Sequence, residues 1–112
     1  MSEPRWVKGN VVTAIHRRQL AEHGGLDGVR DAGLLSSALA RPLNLFAYGS
    51  PKPDLPALAA AYAYGIIKNH PFVDGNKRTA YVICWTFLKI NGQDIDAPDA
   101  DKYQTFIGAA DG

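Results

Sequence analysis

Asn69-His70-Pro71-Phe72-Val73-Asp74-Gly75-Asn76-Lys77-Arg78-Thr79-Ala80 is a polar turn set between two of the most apolar stretches of the chain. Upstream, Ala57 to Asn69 is apolar on nearly all sides and is preceded by Asp54-Leu55-Pro56, an N-cap followed by an early proline. Downstream, Asn76 to about Ile90 carries Val82, Ile83, Cys84, Trp85, Phe87 and Leu88 and stops at Asn91-Gly92. Segments apolar all round at helical length are buried helices. Two such helices joined by one short turn predict an all-α bundle with that turn at one end of its core. Ala59, Ala60, Ala61, Ala63 and Gly65 are small enough to let neighbouring helices approach closely.

Helical spacing continues outward. Val12, Ile15 and Leu20 share a stripe of a first helix that Gly24-Gly25 would end, and residues 1–9 before it are expected to be loosely ordered. His16 and His23 lack recognisable partners and read as surface residues of that helix. A shorter second helix should take Asp31 as N-cap, bury Leu34, Leu35, Ala38 and Leu39, and end at Pro42. Between Pro42 and Pro53 breakers alternate with Leu43, Leu45, Phe46 and Tyr48, which predicts a long loop, either a lid over the core or a flap that touches a partner chain. A last helical piece is expected from Pro98 to Ile107. No stretch alternates cleanly enough to be a strand.

The chain has 112 residues, so one domain from 1 to 112 is expected. Hydrophobic residues make up 46% and charged residues 21%, which excludes a disordered or collagen-like chain. A net charge of +1 argues against direct DNA binding or membrane attraction driven by overall charge. The single cysteine, Cys84, forms no internal disulfide and reads as a small buried hydrophobe. With no apolar leader at the amino terminus, the expected setting is the cytoplasm. Asp94, Asp96, Asp99 and Asp101 crowd the carboxyl end and read as a solvated loop and helix start.

The central turn carries the chemistry. Pro71 pushes His70 out of helix and so fixes where the imidazole points. Gly75 permits close backbone approach, and Asn76 is suited to cap the helix that follows. Lys77 and Arg78 then stand in the first turn of that helix, where the macrodipole disfavours cations unless an anion offsets them. Free N–H groups, a glycine and two cations together make an anion site of the kind that binds phosphates. Asp74 is a hard oxygen ligand of the type magnesium takes beside phosphate oxygens and water. His70 is the residue type that takes a proton from an incoming hydroxyl. Each feature alone has a plainer explanation: a histidine or aspartate at a helix end is commonly structural, and a Lys-Arg pair is commonly a solvated face. Together they describe phosphoryl or nucleotidyl transfer. Phe72 reads as the core anchor that holds the turn down.

These residues resemble the signature of the Fic/Doc superfamily and, within it, the death-on-curing branch, His-x-Phe-x-Asp-(Ala/Gly)-Asn-Lys-Arg. The resemblance extends to Gly24-Gly25, to Gly28-Val29-Arg30-Asp31-Ala32-Gly33-Leu34-Leu35 and to Ser37-Ala38-Leu39-Ala40-Arg41-Pro42, and covers residues 10 to 107 or thereabouts. It implies a Fic-type helical fold, His70 as general base, and Asp74 as magnesium ligand. It also implies that Gly75, Asn76, Lys77 and Arg78 hold the phosphates of ATP, and that residues 42–53 stand where the family has its flap. The implied function is that of a toxin in a toxin–antitoxin module: transfer of the ATP γ-phosphate to a threonine of elongation factor Tu, which arrests translation. The implied partner is a Phd-like antitoxin that folds on binding.

AMP-transferring relatives have glycine where this chain has Lys77, and a second arginine where it has Tyr81. The bulky cation narrows the anion cradle and the missing arginine removes one phosphate clamp, and together they favour the kinase reaction over AMP transfer. The chain carries no inhibitory Ser/Thr-x-x-x-Glu-Gly/Asn motif, and it stops at Gly112, where most relatives are expected to continue into another helix. A nucleotidyl transferase and a catalytically inactive antitoxin-binding partner are the alternatives.

Overall fold

The structure is a computed structural model that describes residues 3–93; the expected helix from Pro98 to Ile107 and the acidic run from Asp94 lie outside the described residues. Four helices follow in order: α1 (Gly9–His23), α2 (Ala32–Tyr48), α3 (Leu55–Asn69) and α4 (Asn76–Ile90). Among the described residues the only extended pairing is one isolated antiparallel bridge, Val29 with Phe72, so the fold is all-α. α3 packs against both α2 and α4, and α1 lies against α4. The core gathers Leu58, Tyr62 and Ile66 of α3, Ile83 and Phe87 of α4, Ala38 of α2 and Val12 of α1.

Local signals explain most helix ends. Asp31 caps α2 by accepting from the Leu34 N–H at 2.9 Å, and Asp54 caps α3 by accepting from the Ala57 N–H at 2.9 Å. α1 ends at Gly24 with φ of 80°, a conformation that glycine adopts at little cost.

Three expectations need correcting. α2 does not end at Pro42 but runs on to Tyr48, so the expected loop from Pro42 shrinks to a short connection from Gly49 to Asp54. The reason is packing: Leu35, Ala38, Leu39, Pro42 and Phe46 form one stripe toward the core, and burying it outweighs the hydrogen bond that a mid-helix proline cannot donate. Of the residues before α1 that were expected to be loose, Arg5 and Val7 are pinned. Val7 is buried and its N–H donates to the Tyr62 hydroxyl at 3.0 Å, while the Asn91 side chain accepts from Arg5 N–H and donates to Arg5 C=O. His16 is buried, with only 2% of its surface exposed, because its ring lies between α1 and the central turn. His23, by contrast, is exposed at the end of α1.

Candidate active site

α3 stops where Pro71 forbids another helical turn. His70 takes up the left-handed conformation (φ 52°, ψ 53°), rare for a residue with a side chain, and its N–H still donates to Ile66 C=O at 3.0 Å. Arg30, from the segment between α1 and α2, holds this end in place. Its Nε donates to His70 C=O and its Nη2 to Asn69 C=O, each at 2.8 Å. A cation on the last carbonyls of a helix also meets the negative end of its dipole. The same segment stitches itself to the turn: Arg30 N–H and Asp31 N–H donate to Pro71 C=O, and Val73 N–H donates to Gly28 C=O.

Phe72 is fully buried, as an anchor should be, and stacks on the His16 ring at 3.8 Å with planes 10° apart. His16 Nε2 donates to the Asp74 carbonyl at 2.8 Å. Gly75, at φ of 77°, lies over His16 and Leu20, where a Cβ would come to 3.4 Å from Leu20 and 3.8 Å from His16. The floor of the turn is therefore a face of α1.

Asn76 is the first residue of α4 rather than its cap; Gly75 holds the cap position. The Asn76 side chain is buried and turns back onto the turn. Its Oδ1 accepts from Phe72 N–H at 3.0 Å, and its Nδ2 donates to Phe72 C=O at 2.9 Å. That pair settles which amide atom is which, and it leaves Nδ2 facing His70 Nδ1 at 3.1 Å. An amide N–H directed there needs a lone pair on Nδ1, so the hydrogen of the neutral ring sits on Nε2.

His70, Asp74, Gly75, Asn76, Lys77 and Arg78 line one open cleft of about 350 Å³. The Asp74 carboxylate is oriented by two backbone donors, Gly75 N–H on Oδ1 at 3.0 Å and Leu26 N–H on Oδ2 at 3.3 Å. A carboxylate offers about four lone-pair positions, so two remain for a cation. Among the described residues no three His, Cys, Asp or Glu side chains cluster as a metal site. A divalent cation at Asp74 would take its other ligands from phosphate oxygens and water, which is how magnesium is ordinarily held beside a nucleotide. Lys77 and Arg78 are both exposed, and among the described residues neither makes an ion pair. Two uncompensated cations at the positive end of a helix dipole, above its first free N–H groups, call for an anion.

The model of the Fic/DOC family matches residues 6–88. The chain belongs to the Fic/DOC family. Among its Fic/DOC relatives, "Toxin Doc" of Mycolicibacterium smegmatis is 48% identical over 86 residues, which is 75% of this chain and 65% of the relative. "Protein kinase doc" of Escherichia phage P1 is 32% identical over 109 residues, 96% of this chain and 84% of the relative. The chain thus spans just under two thirds of the mycobacterial protein.

Spacing within the Fic/DOC motif pointed to all six cleft residues. It missed what holds them: His16, the backbone of Gly28 and Leu26, and the carbonyl partners of Arg30, whose sequence context suggests a structural ion pair instead. One signal for His16 was present, because it sits four residues after Val12 and four before Leu20 on the apolar stripe of α1. A histidine on a buried stripe is a polar group that must find a partner.

Proposed function

We propose that this chain is a Doc-type toxin that transfers the γ-phosphate of magnesium-ATP to a hydroxyl of a protein, with a threonine of elongation factor Tu as the expected acceptor. The observation that carries the reading is the pair Lys77 and Arg78, free of ion pairs among the described residues at the start of α4 and sharing a cleft with His70 and Asp74. The name of the phage relative, a protein kinase, supports the same direction.

Lys77, Arg78 and the first N–H groups of α4 bind and orient the phosphates, and Asp74 would hold the magnesium ion. That ion, when bound, offsets charge on the phosphate oxygens. The acceptor oxygen bonds to the γ-phosphorus as the bond from that phosphorus to the bridging oxygen breaks, and ADP leaves. The acceptor proton passes to His70. Its lone pair is on Nδ1, so the acceptor hydroxyl takes over the contact that the Asn76 amide makes there. The Asn76 side chain itself is committed to Phe72, and so it acts by shaping the turn while its backbone joins the anion cradle. Transfer by this design rests on positioning and charge, as phosphoryl transfer generally does.

A toxin of this type needs a partner that silences it, and the proposed one is a Phd-like antitoxin segment that folds on binding. No helix among the described residues is long and apolar enough to cross a membrane. The test is label transfer from magnesium-ATP in a bacterial translation extract, with γ- and α-labelled nucleotide in parallel. A single protein band carrying γ label alone is expected; α label on protein would indicate nucleotidyl transfer instead.

A further inference from the structure

We propose that His16 is a positioning residue of the cleft: through its Nε2–H it sets the Asp74 peptide, and with it the aim of the Asp74 carboxylate and of the first N–H groups of α4. The proposal rests on the phosphotransfer reading for its kinetic consequence, but not for its structural one.

The imidazole is almost wholly buried, and a buried polar ring is retained only where its polar atoms are satisfied. The Asp74 carbonyl can only accept, so Nε2 is the donor in the 2.8 Å contact. Parallel stacking on Phe72 at 3.8 Å fixes the plane of the ring, and that plane fixes the direction of the N–H. The bonded peptide joins Asp74 to Gly75, the residue that caps α4 with φ of 77°. Rotating this peptide would swing the Gly75 N–H away from Asp74 Oδ1 and redirect the carboxylate, which its other hydrogen bond among the described residues, from Leu26 N–H at 3.3 Å, holds weakly. His16 contributes no atom to the cleft lining. Its influence is therefore on geometry, and geometry is what phosphoryl transfer depends on: displacement of about 1 Å can cost about 100-fold in rate.

Two variants separate the hydrogen bond from the packing. His16→Phe keeps an aromatic ring against Phe72 and removes the donor. His16→Gln replaces the ring by an amide whose nitrogen sits about as far from Cβ as Nε2 does. The readouts are steady-state γ-phosphate transfer and amide hydrogen exchange followed by NMR on the full chain. In His16→Phe, kcat is expected to fall about 10- to 100-fold while KM for ATP changes by less than about threefold, and His16→Gln should recover most of the loss. Exchange should quicken at Val73 and Gly75 in the Phe variant, return toward wild type in the Gln variant, and stay slow at Ile66 in α3 in both.

Wild-type kinetics and wild-type exchange in His16→Phe would overturn the proposal. So would uniform acceleration across the helices in both variants, which would make His16 a packing residue only. If the wild-type protein transferred no γ-phosphate, the kinase reading would fall by itself and exchange would decide: local loosening rescued by Gln upholds the role, and an unchanged turn removes it.

Discussion

Asn76 shows how much one buried amide can hold. Its two ends satisfy both backbone groups of Phe72 and its nitrogen also faces His70 Nδ1, so a single side chain closes the turn and sets the imidazole. Asn76→Asp preserves the shape but puts a carboxylate oxygen opposite the Phe72 carbonyl and the His70 lone pair. An unsatisfied buried group costs about 1–3 kcal/mol, so the urea-unfolding free energy of this variant is expected to drop by about that amount, with transfer activity lost. Wild-type stability in the variant would mean that the amide does not hold the turn. The residue scale was also where reading the sequence was least complete. His70, Asp74, Lys77 and Arg78 were legible as a candidate group because phosphoryl transfer would need those side-chain types at short spacing, and the structure brings them to one cleft. His16 did not, because its partner is a backbone carbonyl 58 residues away. Arg30 fell short for the same reason: its partners are carbonyls at the end of α3, and no pairing of charges along the sequence points to them.

At the scale of elements, α2 carries the clearest lesson. A proline in mid-segment is a strong local signal, yet the spacing of Leu35, Ala38, Leu39, Pro42 and Phe46 is continuous across it, and the period wins when the stripe is buried. Where local and long-range signals agreed, as at Asp31, Asp54 and Gly24, the ends of helices fell where expected. α2 meets α3 at Gly65, which lies flat against the Ala38 backbone. A Cβ there would come to 2.9 Å from the Ala38 carbonyl oxygen and 3.1 Å from its Cα. Gly65→Ala gains about 1 kcal/mol in helix propensity. Forcing the two backbones apart costs about 1–3 kcal/mol, so net destabilisation is expected in urea unfolding. A stabilised variant would show that α2 and α3 have room for a methyl group at Gly65.

Across the molecule, an aromatic cluster ties the start of the chain to three helices. Trp6 packs edge-on to Phe46 at 5.7 Å and stacks on Phe87 at 5.8 Å, and Phe87 meets Tyr62 at 5.3 Å. The bundle was legible from the two apolar segments alone. The pinned amino-terminal residues were not, because one tryptophan and one valine make no periodic pattern. Burial in this bundle leaves a mark on titration. It pushes the Cys84 thiol up from 9.0 to about 12, and it also raises the Tyr62 hydroxyl above its ordinary 10.0, against the opposing hydrogen bond from Val7. For each group the unfolded chain ionises first, so the stability present below pH 9 is lost as pH rises from 9 toward 12. In Cys84→Ala the decline in urea midpoint should begin nearer pH 10, where only Tyr62 contributes; an unaltered profile would mean that the thiol is not buried in solution.

The proposed phosphotransfer at the turn between α3 and α4 depends on His70 as its base. The most direct measurement is the rate of γ-phosphate transfer by His70→Ala beside wild type, with magnesium-ATP binding to both followed by calorimetry. General-base catalysis contributes about 100- to 10,000-fold, so a rate loss of that size is expected with ATP affinity nearly unchanged, because in this proposal Lys77, Arg78 and the start of α4 would still hold the phosphates. Transfer at the wild-type rate in His70→Ala would contradict the account.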